Sequence, residues 1–513
     1  MDGSLTSALK PLINNVHDKD SFKGGWEASM YLIGTEFIER FAMSGMSGNL
    51  ITYLTNVLHE PTATAAKNLN VFNGVTTLLP LLGAFIADAY LGRFKTILVS
   101  LLIYLMGLVM LTLSVSKVPL EIQHVPFFFS LYLVAFGHGG QKPCLQTFGA
   151  DQFNENTMEE KKAKSAFFNW WYFGICIGAS AGMLIVFYVQ ENVGWEAGFA
   201  IPAIAMAMAL VIYLLGERSY RQNIPSGSPL TQIMQVFVAA TSTIKDDIDA
   251  SSVTKNNWRL STVTQVEEVK LLLRLIPIWL SCLMYAVVFA QGGTFFVKQG
   301  STMDTSLGNK FHISPASLQV FIGLTVLIFL PIYDKLFIPT ARSFTGYRSG
   351  ITMLQRIGFG MLLATTSMVV AALVETKRIS VASEHGILDQ PNTIVPISVW
   401  WLIPQYVISG VSNVFAVVGI QELFYDQIPT EIRSIGSAMQ LSAFGVGSLL
   451  SGVLISVVES VTSATGDKWL VDNLNRAHLD YFYWLLAGLS TLGFCAFIGV
   501  SKSFVYKKVD GDC

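Results

Sequence analysis

Apolar runs long enough to cross a bilayer as helices recur along the whole chain. Twelve can be read, at about 26–58, 68–91, 96–115, 126–150, 165–190, 196–216, 269–298, 314–337, 348–374, 396–425, 433–458 and 479–504. Roughly 20 helical residues span the ~30 Å hydrocarbon layer, so the longer runs predict tilt or extension past the headgroups. One long polar stretch, Glu217 to Lys270, interrupts the series. It contains Lys245-Asp-Asp-Ile-Asp249 and reads as a linker with short amphipathic pieces, such as 230–239. The pattern predicts an all-α integral membrane protein with twelve transmembrane helices. Its expected divisions are a six-helix half over 1–216, a linker over 217–268 and a second six-helix half over 269–513.

Composition supports this class. Of 513 residues, 52% are hydrophobic and 13% charged, whereas a soluble domain carries roughly a quarter charged residues. The net charge of −2 gives no argument for a nucleic-acid partner. Five cysteines without CxxC spacing argue against a disulfide framework or a zinc site. The first 25 residues are polar and mixed in charge, so no cleaved leader is expected and the first span serves as its own signal. With both termini and the linker placed in the cytoplasm, the inner segments hold more than twice as many Lys and Arg as the outer loops. This bias predicts that orientation.

The halves share a signature. Gly83-x4-Asp88-x3-Gly92-Arg93 follows span two, and Asp334 with Arg342, Gly346 and Arg348 follows span eight. Two six-span halves with one cytoplasmic signature form the parallel-repeat pattern of the major facilitator fold. Asp88 and Arg93 are expected to act in gating, as a helix-end acid latched to an arginine in one transport state.

Charges inside spans are costly and mark functional sites. Glu36, Glu39 and Arg40 lie at i, i+3 and i+4 of the first span, on one helical face. Lys142, followed by Pro143 and preceded by Gly139-Gly140, lies in the fourth span. It reads as a cavity cation on a helix that can bend, and His138 nearby reads as a helix histidine with its hydrogen bonds satisfied. Span seven carries Gln291 and Thr294 beside Phe289; span ten carries Gln405 and Asn413. Amides at such depths either line a cavity or bond helices together.

Several motifs together resemble the plant nitrate/peptide transporter family, the proton-dependent oligopeptide branch of the major facilitator superfamily. They are Lys23-Gly-Gly-Trp26, Glu36-x-x-Glu39-Arg40, Gly83-Ala-Phe-Ile-Ala-Asp88-Ala-Tyr-Leu-Gly-Arg93, Lys142-Pro-Cys144, Phe148-Gly-Ala-Asp-Gln-Phe153, Phe167-Phe-Asn-Trp170, Gln291-x-x-Thr294-Phe295 and Phe424-Tyr-Asp-Gln427. The resemblance implies proton-driven symport by alternating access, with Glu36, Glu39 and Arg40 in proton coupling. Lys142, Gln291, Thr294, Phe289, Gln405 and Asn413 become the expected substrate-binding residues.

Departures from the family pattern bear on substrate. The acid expected in span ten is Asn413, the amine-binding asparagine expected in span five aligns with Cys176, and Met43-Ser44 replaces two tyrosines. A peptide's carboxylate would find Lys142, but its ammonium would find little. Phe289 stands where some nitrate carriers have histidine. The expected substrate is therefore nitrate or another small anion or organic solute. A di- or tripeptide carrier and a ligand sensor with little turnover are the alternatives. No hydrolytic triad, metal cluster or phosphate loop points to an enzyme, and no cofactor is expected. The expected partners are a proton, a small solute and the lipid bilayer, at the plasma or vacuolar membrane. No pattern in the chain speaks to oligomeric state.

Overall fold

The structure, a computed structural model, describes residues 24–153, 158–222, 263–307, 311–345, 351–391, 393–428, 433–465 and 468–504. The linker motifs, Lys23, Gly346 and Arg348 lie outside the described residues. In chain order the helices are α1 (Gly25–Ser47), α2 (Leu50–Asn56), α3 (Thr62–Ile86), α4 (Arg93–Lys117), α5 (His124–Ala150), α6 (Met158–Asn192), α7 (Trp195–Leu215), α8 (Val263–Phe289), α9 (Phe295–Gly300), α10 (Val320–Ile332), α11 (Ile338–Thr345), α12 (Met353–Glu384), α13 (Ile403–Asp426), α14 (Arg433–Thr465) and α15 (Leu479–Ser503). Short pairings join β1 (Met303–Asp304) to β4 (Val395–Ser398) and β2 (Ser306–Leu307) to β3 (Phe311–His312).

The expected twelve spans map onto this series with two refinements. The first run is not one helix: α1 ends at Ser47 and α2 resumes at Leu50, after Gly48-Asn49. The seventh breaks at Gly292-Gly293 into α8, a 3-10 turn over Ala290–Gly293, and α9. Among the described residues ten helices are long and apolar enough to cross a membrane by length and composition. The remaining two of the twelve are α1 and α5, whose apolar character is diluted by the charges and glycines of the candidate site.

Packing divides the chain into two units, Met1–Ser47 with Leu79–Ser226, and Gly48–Leu78 with Gly227–Cys513. In the first unit, glycines bring backbones close. A Cβ on Gly178 would lie 2.3 Å from the Phe37 carbonyl oxygen, and one on Gly182 would lie 2.2 Å from that of Phe41. This Gly-x-x-x-Gly stripe seats α6 against α1, as small residues do where lipid offers no hydrophobic drive to pack. Gly24 and Gly25, both at positive φ, let the chain entering α1 donate to the Ser219 and Gln152 carbonyls at 2.9 and 2.7 Å. Trp26 then meets Phe153 edge-on.

In the second unit, Tyr333, Val414 and Phe415 centre an apolar cluster. Thr352 and Gln355 form a reciprocal cap at the start of α12. Deep in the unit, Arg378 is fully buried. It binds both Glu375 carboxylate oxygens, the Asn475 side chain and the Leu474 carbonyl.

Candidate functional site

The helical spacing of Glu36, Glu39 and Arg40 does place them on one face of α1. Arg40 Nε donates to Glu36 Oε1 at 2.7 Å and lies 3.3 Å from Glu39 Oε2. Both carboxylates are buried, and Arg40 retains a small exposure. Glu39 faces α5, where His138 Nδ1 lies 2.7 Å from its Oε1. The His138 hydrogen bond therefore crosses between helices to a charged partner. Tyr104 on α4 meets the His138 ring edge-on at 6.2 Å, and its hydroxyl donates to Met43 Sδ. Gly137 allows this close approach, because a Cβ there would sit 2.5 Å from the Tyr104 backbone nitrogen. Lys142, one turn beyond His138, is half-buried and makes no hydrogen bond or ion pair among the described residues. Gln141 is buried with both amide atoms unpartnered.

The first unit thus gathers two carboxylates, one guanidinium, one imidazole and one ammonium group around α1, α4 and α5. Burial opposes ionisation of a carboxylate and a neighbouring cation favours it. A change in hydration tips that balance, so such a cluster is suited to take up and release a proton.

The expected substrate residues of the second unit fall into three separate networks. Gln291 Nε2 donates to the Val287 carbonyl and to Ser451 Oγ, and Ser451 also accepts from Asn70. Gln405 Nε2 donates to Gln299 Oε1 at 3.2 Å. Asn413 Oδ1 accepts from the Tyr285 hydroxyl at 2.8 Å. Thr294, between the 3-10 turn and α9, donates back to the Ala290 carbonyl of that turn. Phe289 is half-exposed and meets Phe444 edge-on. Gln291 and Gln405 each keep a buried side-chain amide oxygen, Oε1, without a partner.

The expected gating pair, Asp88 and Arg93, is joined by a third residue that sequence reasoning missed. Asp88 lies on a π-helical turn, Ala87–Leu91, and Gly92 at φ 76° turns the chain into α4. Arg93 lies 3.7 Å from Asp88 and donates to Asp151 at the end of α5. A matching π-helical turn, Tyr333–Phe337, follows α10. There Arg356, in the first turn of α12, donates to Glu422 near the end of α13 and to the Val414 carbonyl, and stacks over Tyr333. Arg356 and Glu422 thus join the start of α12 to the end of α13, as Arg93 and Asp151 join the start of α4 to the end of α5. The Asp334 side chain lies outside the described residues.

Twelve spans, a π-turn repeated in both halves and a buried charge cluster on the first span define an integral membrane carrier of the major facilitator class. Residues 94–471 match the PTR2 profile, described as the POT family. The chain belongs to that family. It is 50% identical to the Arabidopsis thaliana protein NRT1/PTR FAMILY 5.10, covering 99% of each chain. It is 46% identical to NRT1/PTR FAMILY 5.4 of the same plant, over 95% of this chain and 96% of the relative. Its fold matches an auto-inhibited POT family peptide transporter at TM-score 0.74 and 21% identity, over 94% and 98% of the two chains. A POT family transporter in complex with 5-aminolevulinic acid matches at TM-score 0.67 and 20% identity, over 92% and 96%. The chain is a POT-family membrane transporter.

Proposed function

We propose that this transporter is a proton-driven symporter for nitrate or another small anion, working by alternating access. The observation that carries the reading is the charge arrangement of the first unit. Arg40 is committed to Glu36 and Glu39, while the half-buried Lys142 has no carboxylate partner among the described residues. Lys142 balances the charge of the cluster without a direct ion pair, so its ammonium group can bind an anionic ligand. In the second unit Asn413 is a neutral amide bonded to Tyr285, so it offers no charge to an ammonium group. Glu36, Glu39 and Arg40 take the proton-coupling role. Lys142 holds the anion, and Gln291, Thr294, Phe289, Gln405 and Asn413 shape the path. Asp88 and Arg93 gate. Both termini face the cytoplasm, in the plasma or vacuolar membrane.

The test is uptake by cells expressing the full chain, at external pH 5.5 and 7.5, of nitrate, a dipeptide and a small organic acid. Acid-stimulated uptake of an anion, uncompeted by the dipeptide, supports the proposal. Acid-stimulated dipeptide uptake overturns it in favour of a peptide carrier. Saturable binding without flux overturns it in favour of a sensor.

A further inference from the structure

The Glu36–Glu39–Arg40 cluster does not end on its own helix. We propose that His138 and Glu39 form one proton-binding pair, so that the imidazole on α5 holds the coupling proton together with the carboxylate on α1. This rests on the proton-coupled reading above and deepens it.

The geometry is direct. His138 Nδ1 lies 2.7 Å from Glu39 Oε1, both groups are buried, and the contact bridges two helices. Glu39 Oε2 has no hydrogen-bond partner of its own, although Arg40 Nε is 3.3 Å away. With one proton between them, the neutral ring donates Nδ1–H to the carboxylate and leaves Nε2 as an acceptor. A second proton, delivered by a hydronium ion, adds to Nε2: the N–H bond forms as the hydronium O–H bond breaks and releases water, and an imidazolium paired with Glu39 results. The charged and titratable groups facing His138 are Glu36, Glu39 and Arg40 from α1, Tyr104 from α4 and Lys142 from its own helix.

Charge accounting ties this step to the substrate. With both carboxylates ionised, Glu36, Glu39, Arg40 and Lys142 sum to zero. Protonation of His138 makes the group net positive. Proton uptake then raises the attraction of Lys142's surroundings for an anion, and proton release lowers it. An imidazole can supply this change because its second ring nitrogen takes up a proton while the first stays bonded to the carboxylate.

The experiment uses the full-length protein in liposomes with carbon-13-labelled histidine, followed by infrared pH-difference spectroscopy. His138→Asn keeps an amide that can donate to Glu39 but not titrate; His138→Gln serves if the asparagine variant does not fold. Beyond the signals of the six other histidines, the wild type is expected to show one imidazole-to-imidazolium transition that both His138 variants lack. Glu39→Gln is expected to move its midpoint by a pH unit or more, a tenfold change in proton affinity. A difference spectrum in which the His138 variants lose no transition relative to the wild type, or a midpoint for that transition unmoved by Glu39→Gln, overturns the proposal. Nitrate-evoked currents are recorded in parallel. Their absence from the wild type removes nitrate as the substrate, while the infrared titration still decides the pair.

Discussion

Removing Arg40 should expose how the charge cluster is held together. Glu36 is 3% exposed, and the 2.7 Å bond from Arg40 is its hydrogen bond among the described residues. Glu39 keeps His138. Arg40→Ala therefore strands chiefly one buried carboxylate. Breaking a buried pair by removing one partner costs about 3–5 kcal/mol, and the charge-assisted bond itself contributes about 1.5–3 kcal/mol. Neutralising the stranded partner should recover much of the loss, because a glutamine in place of Glu36 has no charge to bury. The expected pattern is a loss of about 3–5 kcal/mol for Arg40→Ala and about 1–3 kcal/mol for Glu36→Gln. The double variant should be more stable than Arg40→Ala alone by about 1–2 kcal/mol. Unfolding of the purified protein titrated with a denaturing detergent and followed by tryptophan fluorescence provides the cycle. If the two losses add within about 0.5 kcal/mol, the residues are energetically independent. The cluster would then not be the coupled unit described.

Two further perturbations test the packing. A methyl at Gly178 would collide with the Phe37 carbonyl, whereas nothing lies within 4 Å of a Cβ on Gly488. Gly178→Ala should cost about 1–3 kcal/mol, and Gly488→Ala should be neutral or stabilising by up to about 1 kcal/mol; melting temperatures in detergent compare them. Arg378→Met should cost about 3–5 kcal/mol by stranding Glu375, and the paired change Glu375→Leu with Arg378→Met should cost less. The same melts would show a paired loss at least as large if the ion pair were net stabilising.

Much of this arrangement is legible in the sequence, for identifiable reasons. Spacing alone places Glu36, Glu39 and Arg40 together, because residues three and four apart share a helical face. The apolar runs locate the spans because backbone in lipid must satisfy itself as helix. What escapes are contacts between helices far apart in sequence. His138 and Glu39 are 99 residues apart, and Arg93 and Asp151 are 58 apart. Neither pairing leaves a local pattern, since it depends on how α1, α4 and α5 lie against one another. Gln291, Thr294 and Gln405 show the converse. Their depth marks them as special, but whether an amide lines a path or bonds a neighbour is decided by packing. Here Gln291 meets Ser451 and Gln405 meets Gln299.

The central claim is that the first-span cluster couples proton movement to solute movement. The most direct measurement compares two modes in liposomes holding wild type or Glu39→Gln. One is solute accumulation driven by an imposed pH gradient; the other is one-for-one solute exchange without a gradient, with the solute taken from the uptake screen. The account predicts that Glu39→Gln loses gradient-driven accumulation and retains exchange. Accumulation at the wild-type level in Glu39→Gln would contradict it.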